Sequence, residues 1–390
     1  MRILFTFAGG RGHAAPLVPL ARAARAAGHT VAFAGQPRLV PVLTALGFAA
    51  FATGPDVGRT GRAPLLAPDP AREEAALADS YAGWIARGRA ADLLRVAADW
   101  RPAVLVCDEV DFGAMVAAER LGVPHASVLV LASGAFVRAE VVAPPLAALR
   151  AAHGLRPDPG LAMTTAHLVL SPFPPSLRDP TCPLPATART LRLVGPAPDD
   201  PAPEDPGPED PGPGGPVPGG RRRVYATLGT VFNLESGDLF DRLLAGLGSL
   251  PAEVVVTVGE QLDPTDFGPQ PPNVRVERFV PQDSVLASCA LMVSHGGSGS
   301  VLGALAHGVP MVVIPMGADQ PHNAARVRAL GLGLTLDPLT ATPGAIGAAA
   351  RAVLADPAYA AAARRVGGEL VGLGGPDEAV TLLEALGDGG

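Results

Sequence analysis

Residues 278–326 read RFVPQDSVLASCALMVSHGGSGSVLGALAHGVPMVVIPMGADQPHNAAR, and the alternation inside this stretch decides the fold. The apolar run Leu291–Ser294 predicts a buried strand that enters the glycine-rich turn His295-Gly296-Gly297-Ser298-Gly299-Ser300. A helical pattern follows over Val301–His307, then a second buried strand over Met311–Ile314, then the polar cluster Asp319-Gln320-Pro321-His322-Asn323. Strand, turn, helix and strand in this order make the repeating unit of a parallel α/β sheet. Glycines let a backbone approach a ligand closely, and the start of a helix aims its N–H groups at whatever sits there. The hydroxyls of Ser298 and Ser300 add donors. This is the chemistry of a pyrophosphate seat, although a glycine-rich turn alone also serves as a plain bend.

The same rhythm continues on both sides. After Arg223, strands are expected at Val224–Leu228, Glu253–Val258, Val274–Val276 and Gly333–Leu336, with helices between them and a last helix over Glu378–Leu386. The first half predicts strands at Ile3–Phe7, Thr30–Ala34, Val104–Cys107, Ala126–Leu131, Leu168–Leu170 and Leu191–Val194. Helices are expected there at Pro16–Ala27, Leu77–Trp100, Gly113–Leu121 and Ala139–His153. Between the halves, Pro198–Gly220 is almost wholly Pro, Gly, Asp and Glu, which predicts an extended or disordered linker. The expected organisation is an N-terminal domain over 1–197, the linker over 198–220, a C-terminal domain over 221–375 and a final helical segment over 376–390. A chain of 390 residues fits two such domains.

Composition narrows the function. The net charge is −7 and the basic residues are all arginine. Nucleic acid is therefore not the expected partner, since phosphate contacts need clustered cations. Arg221-Arg222-Arg223 is the one strong basic run, and it reads as the solvated entrance to a strand. The three cysteines, Cys107, Cys182 and Cys289, are widely spaced, with Cys107 and Cys289 in or beside apolar runs. That pattern fits a reducing compartment and no structural zinc. The N-terminal apolar run is too short for a signal peptide, and no stretch approaches the ~20 apolar residues of a membrane span. A cytoplasmic location is expected.

The loop after the first strand, Gly9-Gly10-Arg11-Gly12-His13-Ala14-Ala15, matches G-x-G-x-x-A through Gly10, Gly12 and Ala15. A dinucleotide site would also want a carboxylate at the end of the second strand to hold a ribose. That strand ends Ala32-Phe33-Ala34-Gly35-Gln36, so the dinucleotide reading is disfavoured. His13 is more telling. A neutral imidazole at a strand-to-helix turn is a natural general base for an alcohol, while a loop histidine bonded to backbone is the plain alternative.

Taken together, these elements resemble the inverting glycosyltransferases of the GT-B fold, and among them the bacterial natural-product (antibiotic, dTDP-sugar-dependent) branch of the UDP-glycosyltransferase superfamily. The carriers of the resemblance are Gly12-His13 followed by Pro16, Pro281-Gln282, His295–Ser300, Gly308-Val309-Pro310, and Asp319-Gln320 with Asn323-Ala324. It covers most of the chain, most strongly after Arg223 and more loosely between Gly54 and Ala103. It implies two facing Rossmann-like domains with a deep cleft between them, and a C-terminal end that packs back on the first domain.

The roles that follow are those the resemblance implies. His13 is the base, and an Asp about a hundred residues later holds its imidazolium form. Asp108 is the choice, with Glu109 and Asp111 as close competitors. Phe279 stacks on the nucleobase and Val280 offers backbone hydrogen bonds. His295, Gly297, Ser298 and Ser300 bind the pyrophosphate, with Thr230 as an added contact. Asp319 and Gln320 hold the sugar hydroxyls. Ser298, Ser300 and Asp319 also suit plain helix caps.

Plant members of the superfamily carry a glutamate, eight positions after the histidine, that grips the ribose hydroxyls of UDP. Here that place is Gly303. A dTDP-sugar co-substrate is expected, with no metal and no other cofactor. The acceptor is expected to be a small polyketide-like aglycone in a pocket of the first domain lined by Gly54–Pro70 and Ser133–Pro145, and a homodimer is allowed. O- and C-glycosylation stay open. A sugar-nucleotide epimerase would need more carboxylates in the turns. A non-catalytic helper protein would have lost His13 or the Asp319-Gln320 pair, and this chain keeps both.

Overall fold

The structure, a computed structural model, describes residues 1–57, 61–193 and 222–389. The described residues within 1–58, 70–193 and 372–390 form one compact unit, and those within 59–69 and 194–371 form a second. Each is built on a parallel sheet.

In the first unit the strands are β1 (Arg2–Thr6), β2 (Thr30–Gly35), β3 (Ala49–Ala52), β4 (Val104–Asp108), β5 (His125–Val128), β6 (Leu168–Ser171) and β7 (Ala188–Thr190). They lie in the order β3-β2-β1-β4-β5-β6-β7, and every pairing is parallel. β4 is buried along its whole length and β1 at all but its first residue. Helices cover both faces of such a strand, so it reads as a continuous apolar run. Strand order reverses between β1 and β4. Beyond the carboxyl ends of strands at such a switch point, an open α/β sheet binds its ligand. The helix Ala86–Trp100 packs closely on Phe112–Leu121, because a Cβ at Gly113 would stand 2.5 Å from the Ala86 carbonyl oxygen. The last helix, Pro376–Asp388, belongs to this unit and buries Ala379, Val380 and Leu383 with Ile3, Phe5, Leu17 and Leu20.

The second unit holds β8 (Arg222–Thr227), β9 (Ala252–Thr257), β10 (Val274–Glu277), β11 (Cys289–Ser294), β12 (Met311–Val313) and β13 (Gly333–Thr335). Their order is β10-β9-β8-β11-β12-β13, again parallel throughout. Its switch point lies between β8 and β11. The apolar faces of β8, β9, β11 and β12 share one core with Leu239, Phe240, Leu243 and Ile346 from the covering helices.

Several expected boundaries move. The strand expected over Ala126–Leu131 stops at Val128, after which the Leu129 N–H still reaches the Leu170 carbonyl and the chain turns at Gly134 with φ +74°. The strand expected over Leu191–Val194 is instead Ala188–Thr190, set by the register that pairs Val169 with Ala188 and Ser171 with Thr190. The helix expected over Leu77–Trp100 begins at Pro70 and contains a π-helical stretch, Leu77–Ile85. β3 was not expected at all. Cys107 is buried, whereas Cys289, at the first residue of β11, is only partly so. Residues 61–69 were expected to line a pocket of the first domain, yet they pack into the second unit. There the Ala63 N–H donates to the Leu234 carbonyl at 2.7 Å, and Leu65 lies against the core. The linker over 198–220 lies outside the described residues. No helix among the described residues is long and apolar enough to cross a membrane.

Candidate active site

The loop that leaves β1 turns into the short helix Arg11–Ala14, which carries His13. Its imidazole Nδ1 lies 3.1 Å from Oδ2 of Asp108, the last residue of β4. The two residues sit at the carboxyl ends of neighbouring strands, so the switch point itself brings them together. Asp108 is fully buried and accepts two more hydrogen bonds, from the N–H groups of Ala8 at 2.9 Å and Val110 at 2.8 Å. Burial alone would raise its pKa. The charge of His13, its hydrogen bond and the two backbone N–H groups outweigh that and hold the carboxyl below its ordinary value. An ionised Asp108 fixes the proton on Nδ1 and leaves the Nε2 lone pair to act as a base. Gly9 makes room for the ring: a Cβ there would lie 2.2 Å from His13 Cδ2 and 2.4 Å from both Cγ and Nε2.

The competing Asp111 behaves differently. Asp111 caps the helix Phe112–Leu121 through the Ala114 N–H and forms a two-pronged pair with Arg89 at 2.7 and 2.6 Å. Arg89 is only 1% exposed and also donates to the Thr53 carbonyl, the Thr53 hydroxyl and the Ala34 carbonyl. This buried pair braces the loop that Asp108 begins. Asp111 is thus committed to Arg89, whereas Asp108 bonds to His13.

In the second unit, β11 runs through His295-Gly296-Gly297 into the helix Ser298–Ala306, which starts three residues earlier than the sequence suggests. Gly296 adopts φ +82°, and a Cβ on it would meet Val313 at 2.5 Å. Gly297 is the N-cap, so Ser298 and Ser300 stand in the first turn, whose N–H groups have no acceptor inside the helix. The Ser298 hydroxyl donates to Asp319 at 2.6 Å. Asn323, fully buried, donates to the Gly296 carbonyl at 3.0 Å, the Ser298 hydroxyl at 3.0 Å and Asp319 at 2.7 Å. Asn323 thus ties the glycine turn to the Asp319 loop. The sequence motif contains it, but nothing in the spacing alone reveals this function. The oxygen end of Gln320 is a brace: its Oε1 accepts from the N–H groups of Met316 at 2.8 Å and Gly317 at 3.2 Å.

His295 is buried, and its Nδ1 has no hydrogen-bond partner among the described residues. Burial pushes its pKa down to about 4, against a smaller upward pull from the Thr227 backbone. The ring is neutral at neutral pH and can offer a hydrogen bond without adding a charge. Its space depends on two glycines, since a Cβ on Gly229 or on Gly297 would lie 2.5 Å from its Nε2. Gly297→Ala should therefore weaken nucleotide diphosphate binding by at least about tenfold, a loss of roughly 1.4 kcal/mol that titration calorimetry would detect. Thr230 follows β8 and is exposed; Phe279 is 59% exposed, whereas Val280 is buried. The tip of the Gln282 side chain lies over Gly303, 2.1 Å from where a Cβ would stand, and its Nε2 donates to the Gly299 carbonyl at 3.3 Å. Among the described residues no group of three or more His, Cys, Asp or Glu is arranged to hold a metal ion.

Two buried histidines give the fold a pH dependence. Burial takes His295 from the ordinary value of 6.5 to about 4, and burial together with the neighbouring His167 does the same to His125. The unfolded chain binds these protons first. Stability is therefore full above about pH 6.5 and falls as pH drops from 6.5 towards 4, by roughly 3 kcal/mol at most for each histidine. Urea unfolding at pH 7 and pH 5 should show the lower midpoint at pH 5. Equal midpoints would contradict the assignment.

Comparison with known proteins agrees with this architecture. Residues 241–386 match the family model described as erythromycin biosynthesis protein CIII-like, C-terminal domain. An L-demethylnoviosyl transferase of Streptomyces niveus is 32% identical over 382 residues, covering 95% of this chain and 94% of that protein. The glycosyltransferase SnogD from Streptomyces nogalater superposes with a TM-score of 0.76 at 28% identity, covering 99% of each chain. The glycosyltransferase VinC, solved in complex with dTDP, superposes with a TM-score of 0.74 at 26% identity, covering 100% of each chain. Sequence over nearly the whole length and two Rossmann-like units thus agree that this chain belongs to the antibiotic glycosyltransferases of the GT-B fold.

Proposed function

We propose that the chain transfers a deoxysugar from a dTDP-sugar to a hydroxyl of a small polyketide-like aglycone, with inversion at the anomeric carbon and without a metal ion. The observation that carries this reading is the 3.1 Å bond between His13 Nδ1 and the buried Asp108. Nε2 of His13 removes the proton from the acceptor hydroxyl. The oxygen attacks the anomeric carbon as the bond to the diphosphate breaks, and Asp108 stabilises the imidazolium that forms. The departing diphosphate takes hydrogen bonds from the backbone N–H groups of Ser298 and the rest of the first turn of the helix Ser298–Ala306, the Ser300 hydroxyl and neutral His295, with Thr230 as an added donor. Phe279 stacks on the base beside the Val280 backbone, and Asp319 with the Nε2 amide of Gln320 reads the sugar.

The thymidine preference is supported by two observations. Gly303 has no side chain at the place where plant members carry their ribose-gripping carboxylate, so nothing at that position selects for a 2′-hydroxyl. A related glycosyltransferase of this fold is known with dTDP bound. Initial rates with matched dTDP- and UDP-sugars, each with and without EDTA, test the reading. The dTDP-sugar should be turned over much faster, and EDTA should leave the rate unchanged. Equal rates with both donors, or loss of activity with EDTA, would contradict it.

A further inference from the structure

The segment Leu77–Ile85 is π-helical, and inside it Gly83 leaves helical geometry altogether with φ −97° and ψ −106°. A π-helical turn inserts a residue into the helical repeat, and such turns gather at functional sites. This one carries Tyr81. The Tyr81 ring lies 5.9 Å from the His13 ring with the planes 18° apart, an offset stack. Tyr81 is half-buried and leans on the core of the first unit, so its ring is held in place from behind. His13 is thereby fixed by three neighbours. Gly9 lies against a face of the imidazole, since its missing Cβ would sit at nearly equal distances of 2.2, 2.4 and 2.4 Å from Cδ2, Cγ and Nε2. Asp108 holds the Nδ1 edge. Tyr81 lies parallel to the ring plane.

We propose that Tyr81 is a positioning residue for His13, and that the π-helical register of Leu77–Ile85 exists to bring this ring onto the imidazole. The Asp108 bond alone leaves the ring free to swing about the Nδ1 contact; a parallel aromatic surface removes that freedom. Nε2 then points in one direction whether or not an acceptor is bound. A base misplaced by about 1 Å can lose on the order of a hundredfold in rate, so a rigid imidazole plane has kinetic consequences. The inference rests on the reading of His13 as the base.

The test uses the full chain with Tyr81→Leu and Tyr81→Met, which remove the ring and keep most of the volume, and Tyr81→Phe, which keeps the ring. Two readouts are taken. One is kcat and KM for sugar transfer. The other is the low-field proton resonance of the His13 Nδ1–H, assigned by its loss in His13→Ala. Removing the ring should lower kcat about tenfold with little change in donor KM, and should broaden or shift the resonance. Tyr81→Phe should rescue both. A folded Tyr81→Leu or Tyr81→Met with wild-type kcat and an unmoved resonance would overturn the proposal. So would a Tyr81→Phe as impaired as the other two, because the hydroxyl and not the ring would then be responsible. If the chain transfers no sugar in any form, the proposed function fails, yet the resonance still decides whether Tyr81 holds the imidazole.

Discussion

His13→Ala is expected to lower kcat for glycosyl transfer by about 10²- to 10⁴-fold, the range that a positioned general base supplies. Binding of dTDP should stay as it is in the unaltered chain, because the residues assigned to the diphosphate belong to the other unit. The physical reason lies in the acceptor. A sugar hydroxyl or alcohol at neutral pH is a poor nucleophile, and its proton must leave as the bond to the anomeric carbon forms. Asp108→Asn should act in the same direction, since the amide no longer demands a proton on Nδ1 and the lone pair can move to the wrong nitrogen. A His13→Ala variant with wild-type turnover would remove His13 from the mechanism.

Arg89→Met is expected to destabilise the first unit by roughly 3–5 kcal/mol, the usual cost of leaving one member of a buried ion pair uncompensated. Asp111 is fully buried, and both of its oxygens bond to Arg89. The carboxylate cannot reach water, so it must either stay charged without a partner or take up a proton. Methionine keeps much of the volume, which makes the loss electrostatic rather than a matter of packing. Adding Asp111→Asn should recover part of it, because an amide still caps the helix Phe112–Leu121 without a buried charge. Urea unfolding of the three proteins measures this directly. Activity should fall with stability in the single variant, since Asp108 stands three residues before Asp111 on the same loop. A midpoint unchanged in Arg89→Met would show that the pair contributes little.

The two sheets were readable because their central strands are unbroken apolar runs, as in Val104–Cys107 and Leu291–Ser294. Such runs bounded by glycine turns have few other interpretations. β3 escaped notice because Ala49–Ala52 is three alanines and a phenylalanine at a half-exposed sheet edge, with little strand preference of its own. The π-helical stretch escaped for a different reason. LADSYAGWI spaces its apolar residues well enough for an ordinary helix, and only the backbone at Gly83 betrays the change of repeat. The start of the helix at Ser298 was masked by two serines and a glycine, which favour turns in isolation but are tolerated in a first turn.

The site was partly legible in the same way. Glycine turns after strands advertise where a backbone must come close to something, and they led to His13 and to His295. Partner choice was not legible. Asp108, Glu109 and Asp111 lie within four positions of one another, and what separates Asp108 from Asp111 is Arg89, on a helix nineteen residues earlier than Asp108. Gln320 and Asn323 show the same limit. Both are amides in one motif, yet one braces its own loop and the other joins two loops. Sequence supplies the functional group in such cases, and only packing tells which way it faces.

The most direct test of the account is a calorimetric titration of the full chain with dTDP and with UDP, in the presence of EDTA. Micromolar binding of dTDP with clearly weaker UDP is the predicted result, and it would tie the turn His295–Ser300 and the missing carboxylate at Gly303 to a thymidine diphosphate seat. No binding of either nucleotide, or equal binding of both, would contradict it.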